Sequence, residues 1–142
     1  SLVGSEMCIR NRFKGLHIVV KIPQGFDFPV DINVDYGDID FETEYNSLLN
    51  VQMGTGDFEA ISLGGKFDIS TNIGDISIKN AKPYENSSLK TDTGDIEVDN
   101  VLNTKIISEA DTGNEDVNGS DDSSGVTLTV TTDTGDIEVN DN

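Results

Sequence analysis

Thr91-Asp92-Thr93-Gly94-Asp95-Ile96-Glu97-Val98 returns letter for letter as Thr132-Asp133-Thr134-Gly135-Asp136-Ile137-Glu138-Val139. Looser copies surround Gly37, Gly56, Gly74 and Gly113, and the six glycines are spaced by 19, 18, 20, 19 and 22 residues. A period near twenty residues is the signature of stacked units, each unable to bury its apolar face alone. Aligned on the glycines, the second place after holds Ile39, Phe58, Ile76, Ile96, Glu115 and Ile137. The fourth place after holds Phe41, Ala60, Ile78, Val98, Val117 and Val139. Five places before lie Ile32, Val51, Ile69, Leu89, Ser108 and Val130; seven before lie Val30, Leu49, Phe67, Ser87, Ile106 and Leu128. The first and third places after the glycine are mostly Asp and Glu. This is period-two alternation on both sides of each glycine, so a unit is two short strands joined at a corner. No window shows helical spacing, and the domain is all-β.

Hairpins and solenoid coils would both satisfy this pattern. A two-residue hairpin wants Asn-Gly or Asp-Gly, because both central residues need positive φ. Here Thr precedes the glycine in four units, Tyr in one and Ile in one. β-Branched residues suit positive φ poorly, whereas a type II-like corner asks it only of the glycine. Like-with-like columns also fit strands stacked about 4.8 Å apart, and crossovers between parallel strands are right-handed in nearly all proteins. The sequence therefore predicts a right-handed parallel β-solenoid of about six coils of 18–22 residues. A β-sandwich or barrel of short strands is the alternative. The fifth unit breaks the pattern with Ser108 and Glu115 at apolar places, then runs into the turn-rich stretch Asn118 to Gly125. A bulge or projecting loop with the weakest packing is expected there, and Lys82 to Ser88 reads as a second loop.

A chain of 142 residues with net charge −18 is one domain with a thin core. The charge argues against nucleic acid and anionic membranes, and no run is long and apolar enough for a helical span. Residues 1–12 stand apart. Leu2 to Arg10 resembles a translated sequencing adapter of the kind met in metagenomic genes, and the segment reads as adapter-derived or disordered. Setting it aside removes Cys8, the only cysteine, and both arginines, Arg10 and Arg12. The repeat domain is then residues 13–142, and its natural N-terminus, with any signal peptide, lies upstream.

The Thr-Gly-Asp-Ile-x-Val repeat, preceded by Val20-Lys21-Ile22-Pro23-Gln24-Gly25, resembles the adhesin-like β-strand-repeat family of unknown function from prokaryotic envelope proteins. The resemblance covers residues 16–142. It implies a solenoid-like domain, extracytoplasmic at the cell surface or secreted, linked in some members to adhesion by name and in others to sensing of envelope stress and cationic peptides. It supplies no catalytic residues.

Two aspartate ladders are the first candidates for chemistry: Asp38, Asp57, Asp75, Asp95 and Asp136, and beside them Asp35, Asp92, Asp111 and Asp133. Stacked carboxylates about 5 Å apart repel by roughly 1 kcal/mol in water. Capping of backbone N–H groups at the corners would relieve this, and Ca²⁺ between coils is the sharper option. If a cation is held, Asp111, Asp116, Asn118, Asp121 and Asp122 are the residues expected to hold it. Asp31 to Glu42 imitates a calcium loop with its glycine one place late and reads as a strand. Thr127, Thr129 and Thr131 make one outward row, too little for an ice-binding array. Catalysis has little support: His17 is the only histidine, and zinc or Cys–His chemistry lacks ligands. A polysaccharide-active β-helix enzyme is the remote alternative. The leading expectation is a non-catalytic extracytoplasmic module presenting an acidic surface for adhesion. A sensor module of an envelope-stress protein is the rival. Envelope proteins, surface glycans or cationic peptides are the expected partners.

Overall fold

The computed structural model describes residues 7–11, 16–21 and 28–140. The lead-in from Ile22 to Gly25 falls outside them. The described residues form fourteen strands and no helix: β1 (Met7–Asn11), β2 (Leu16–Val20), β3 (Val30–Phe41), β4 (Leu48–Thr55), β5 (Phe58–Ala60), β6 (Leu63–Ile73), β7 (Ile76–Ile78), β8 (Ala81–Pro83), β9 (Ser87–Thr93), β10 (Ile96–Val98), β11 (Lys105–Thr112), β12 (Glu115–Val117), β13 (Thr127–Thr134) and β14 (Ile137–Val139). Every pairing is parallel and in the register of the glycine alignment. The chain is a β-solenoid of about six turns. β1, within the segment set aside in the sequence, pairs with β3 from Met7↔Val30 to Asn11↔Val34.

Three walls enclose the core. The long wall stacks β1, β3, β4, β6, β9, β13 and β11, and the short-strand wall stacks β2, β3, β5, β7, β10, β14 and β12. A third, smaller wall joins β6 to β8 and continues through the bridges Tyr45↔Leu63 and Ala81↔Val101. Inward columns are those of the alignment: Ile39, Phe58, Ile76, Ile96 and Ile137 are each no more than 1% exposed. Phe41 and Phe58 pack with ring centroids 5.6 Å apart, and small Ala60 beside them makes the room. Thr71, Thr91 and Thr132 are buried three places before their glycines, and their hydroxyls donate to the carbonyls of Gly56, Gly74 and Gly94 at 3.3, 3.0 and 3.0 Å. A buried hydroxyl is tolerated because it is bonded.

The repeat glycines have φ between 146° and 150°, positive as expected but far from the roughly +80° of a type II turn. Close approach of the coils is a second requirement. A Cβ on Gly94 would overlap the carbonyl oxygen of Gly74 and lie 2.6 Å from its carbon, and each neighbouring corner repeats the conflict.

Sequence order fails at one step. Unit six (β13, β14) is inserted between unit four (β9, β10) and unit five (β11, β12), giving the spatial order four, six, five on both walls. The link from β10 to β11 turns through Asn100 and Asn103, both at positive φ (52° and 50°). Of the bulge or projecting loop expected in unit five, the structure has the loop: β11 itself follows β13 without interruption from Lys105↔Thr127 to Ala110↔Thr132. Ser108 and Glu115 depart from the repeat because unit five is the last coil, with no described strand stacked on its outer side. The Ser108 hydroxyl donates to Glu115 Oε1 at 2.6 Å across that open end. The residues between Val117 and Thr127 form the projecting loop, and Ser120 Oγ accepts the outward N–H of Ile106 at 3.0 Å. The other expected loop is shorter than its sequence suggests, because Lys82 and Pro83 lie in β8.

Candidate functional site

Parallel stacking turns each outward residue type into a column, so candidate sites are faces rather than clefts. At the corners, Asp57, Asp75, Asp95 and Asp136 donate their backbone N–H to Oδ1 of Asp38, Asp57, Asp75 and Asp95 at 2.8–2.9 Å, and Asn114 does the same to Asp136. Each carboxylate thus caps an N–H of the neighbouring coil, not of its own corner. The bond is charge-assisted, which offsets the repulsion along the column.

The outer face of the short-strand wall is acidic. Asp40, Glu59, Ser77, Glu97, Glu138 and Asp116 stand side by side in register. The pKa of Glu97 is pushed above the ordinary carboxylate value by burial first, then by Asp99 and Glu138. Next to Glu97 on this face, toward β3, Asp40, Glu42, Glu59, Ser77, Ile61 and Lys79 line a depression of about 280 Å³. Lys21 sits 4.0 Å from Glu42 there, both exposed.

The outer face of the long wall is different. Its signs are mixed away from the corners, where Asp31, Asp68 and Glu109 stand against Lys66, Lys90 and Lys105, while Asp35, Asp92, Asp111 and Asp133 beside the corner glycines leave the face acidic in sum. Asn33, Asn50, Gln52, Ser70, Ser88, Thr129 and Thr131 fill the places between. Where this wall meets the third, Ser47, Leu48, Gly65, Lys66, Tyr84 and Glu85 line a depression of about 400 Å³. Tyr84 is 75% exposed and Leu48 42%, yet the backbone under them is fixed: Tyr84 N–H donates to Gly65 O at 2.8 Å.

The residues named as cation ligands are spread along the end coil and its loop. Asp116 Oδ1 accepts from the Asn118 amide at 3.1 Å, Asp122 Oδ1 from the Ser120 hydroxyl at 3.1 Å, and Asp121 Oδ1 from both the N–H and hydroxyl of Ser123. Asp111 is exposed on β11. Among the described residues no three His, Cys, Asp or Glu side chains gather in a metal-holding group. Asp31 to Asp35 lies in β3, His17 is exposed in register with Asp38, and Thr127, Thr129 and Thr131 face outward between units four and five. Sequence reading missed Tyr84 and Leu48. The signal for Tyr84 was an aromatic residue inside a polar loop segment, directly after Pro83. Leu48 gave none, because an apolar residue opening a strand reads as core.

No curated protein matches the chain. Among solved structures, one matching protein is described as a "putative cell adhesion protein" from Clostridium sporogenes ATCC 15579, at 14% identity and a TM-score of 0.56. The match covers 81% of this chain and 57% of that one, so the domain spans little more than half of that protein's length. At such identity the likeness concerns the fold. The family model described as Toastrack DUF4097 matches residues 3–142, and the chain belongs to that family.

Proposed function

We propose that the domain is a non-catalytic display module of the cell surface, which holds outward side chains on a rigid lattice for adhesion or binding at the envelope. The observation that carries this reading is the in-register stacking of outward columns on two walls. Strands about 4.8 Å apart give each face a fixed spacing that a flexible loop would not. The adhesion description of the Clostridium protein is in keeping with it. The acidic columns of the short-strand wall add long-range attraction for cationic partners. They also favour the second reading, a sensor module that recruits cationic peptides to the depression beside Asp40, Glu42 and Glu59.

The test is retention of the purified domain on cell-envelope fractions, compared at low and high salt. Saturable retention is expected. Absence of retention at either salt refutes the display reading, and retention only of cationic peptides, lost at high salt, replaces it with the sensor reading.

A further inference from the structure

We propose that the outer face of the long wall, with the Tyr84 depression at its border, binds a neutral glycan chain; this rests on the display reading and names its ligand. A sugar ring has an apolar face and a rim of hydroxyls, and the depression offers both complements. The Tyr84 ring, 75% exposed, and Leu48, 42% exposed, supply apolar surface. Lys66 and Glu85 line the same depression and supply a donor and an acceptor. Its volume of about 400 Å³ falls in the range of small-ligand sites.

Three features select the ligand class. First, the depression sets one lysine, Lys66, against one acid, Glu85, and is locally neutral, while the chain as a whole carries −18. An anionic polymer is repelled by the molecule, and a cationic one is drawn to the other wall. Second, β4, β6 and β9 each have neighbours on both sides. None of these three strands offers a free edge, so an extended peptide cannot add to them by backbone pairing. Recognition must run through side chains. Third, Tyr84 is exposed but anchored, since it follows Pro83 in β8 and donates to Gly65 O. A main chain fixed before binding loses little backbone entropy on contact.

The experiment is retention of the full chain on cellulose, chitin and β-1,3-glucan, followed by titration with soluble oligosaccharides of whichever is retained. Heparin and polylysine serve as charged comparators. Expected are binding to a neutral polysaccharide with little salt dependence, a loss of about tenfold in Tyr84→Ala from the missing stacking contact, and retention in Tyr84→Phe. Glu97→Gln on the opposite wall should bind as the unmodified chain does. An unchanged melting midpoint in Tyr84→Ala would separate lost contact from lost fold. The proposal is overturned if no neutral polysaccharide is retained, or if Tyr84→Ala binds unchanged. Retention on envelope fractions without any neutral glycan binding overturns this site alone and leaves the display reading standing.

Discussion

Gly94→Ala tests whether the corner glycines are demanded by the contact between coils. The added Cβ would lie 2.6 Å from the Gly74 carbonyl carbon, and ordinary carbon–carbon contact needs about 3.5 Å. Coils three and four must therefore part by about 0.9 Å at this corner. Four bonds resist: Gly74 N–H to Thr93 O and Ile76 N–H to Asp95 O at 2.9 Å, Asp95 N–H to Asp75 Oδ1 at 2.8 Å, and the Thr91 hydroxyl to Gly74 O at 3.0 Å. Stretched by that amount, all four leave hydrogen-bond range. At about 1 kcal/mol each, with about 1–3 kcal/mol for an L-residue held at φ 149°, the loss is about 5–7 kcal/mol. A domain of this size has about 7–20 kcal/mol in total. Urea unfolding followed by far-UV circular dichroism reads the change in midpoint. Gly113→Ala meets the same oxygen-on-carbon conflict with Gly135, but its coil is terminal and can lift, so its loss should be clearly smaller. Gly125→Ala, with nothing within 4 Å, should be close to neutral. A Gly94→Ala loss below about 1.5 kcal/mol, or one matched by Gly113→Ala, would refute the close-approach reasoning.

Asp95→Asn keeps an acceptor for the Asp136 N–H and removes a charge between two others, so it should match or exceed the parent in thermal stability at low salt. Asp95→Ala loses the acceptor and should cost about 1 kcal/mol; equal midpoints for the two variants would dismiss the capping role. Glu97 has a folded pKa above the ordinary carboxylate value of 4.5, so the folded state binds its proton more tightly than the unfolded chain does. Stability falls as pH rises from about 4.5 through the folded value, and Glu97→Gln should flatten that limb of a pH series of melts. Glu115→Ile with Ser108→Val gives the end coil an apolar interior, and sedimentation should show the double variant associating at lower concentration than the parent. Melts with Ca²⁺ and with chelator should coincide, because Asp116, Asp121 and Asp122 each spend Oδ1 on a neighbouring donor; a raised midpoint with Ca²⁺ would assign an ion to that loop.

The walls of the solenoid were legible because burial leaves a period-two trace that no side-chain detail can hide: every apolar column read from the glycines is an inward column. The aspartate column was legible as a set of caps, but not their targets. An Asx turn within one corner and a bond to the next coil demand the same residue at the same place. The outer faces were legible only in part. Acid at the first and third places after glycine stands out in a column, whereas the mixing of Lys66, Lys90 and Lys105 with Asp31, Asp68 and Glu109 is spread over five units. Tyr84 matters through a wall junction that the glycine alignment does not contain.

Coil order was the least legible feature, because aligned columns match whichever coil lies next to which. Its physical cause is nevertheless written in unit five. In chain order, Glu115 would be sandwiched between Ile96 and Ile137, which instead pair directly. An ionised carboxylate buried there without a partner costs several kcal/mol. In the observed order Glu115 has Ile137 on one side only, is exposed, and receives the Ser108 hydroxyl. The identical phrases of units four and six meanwhile stack on each other, Ile96 on Ile137 and Val98 on Val139, which places the two best-matched interiors in contact. The same choice leaves the exposed end polar, and Glu115 on β12, at a place where most coils are apolar, discourages another copy from continuing the stack. The exception to the repeat is therefore what ends it: the unit least fitted to be covered is the one the chain leaves uncovered.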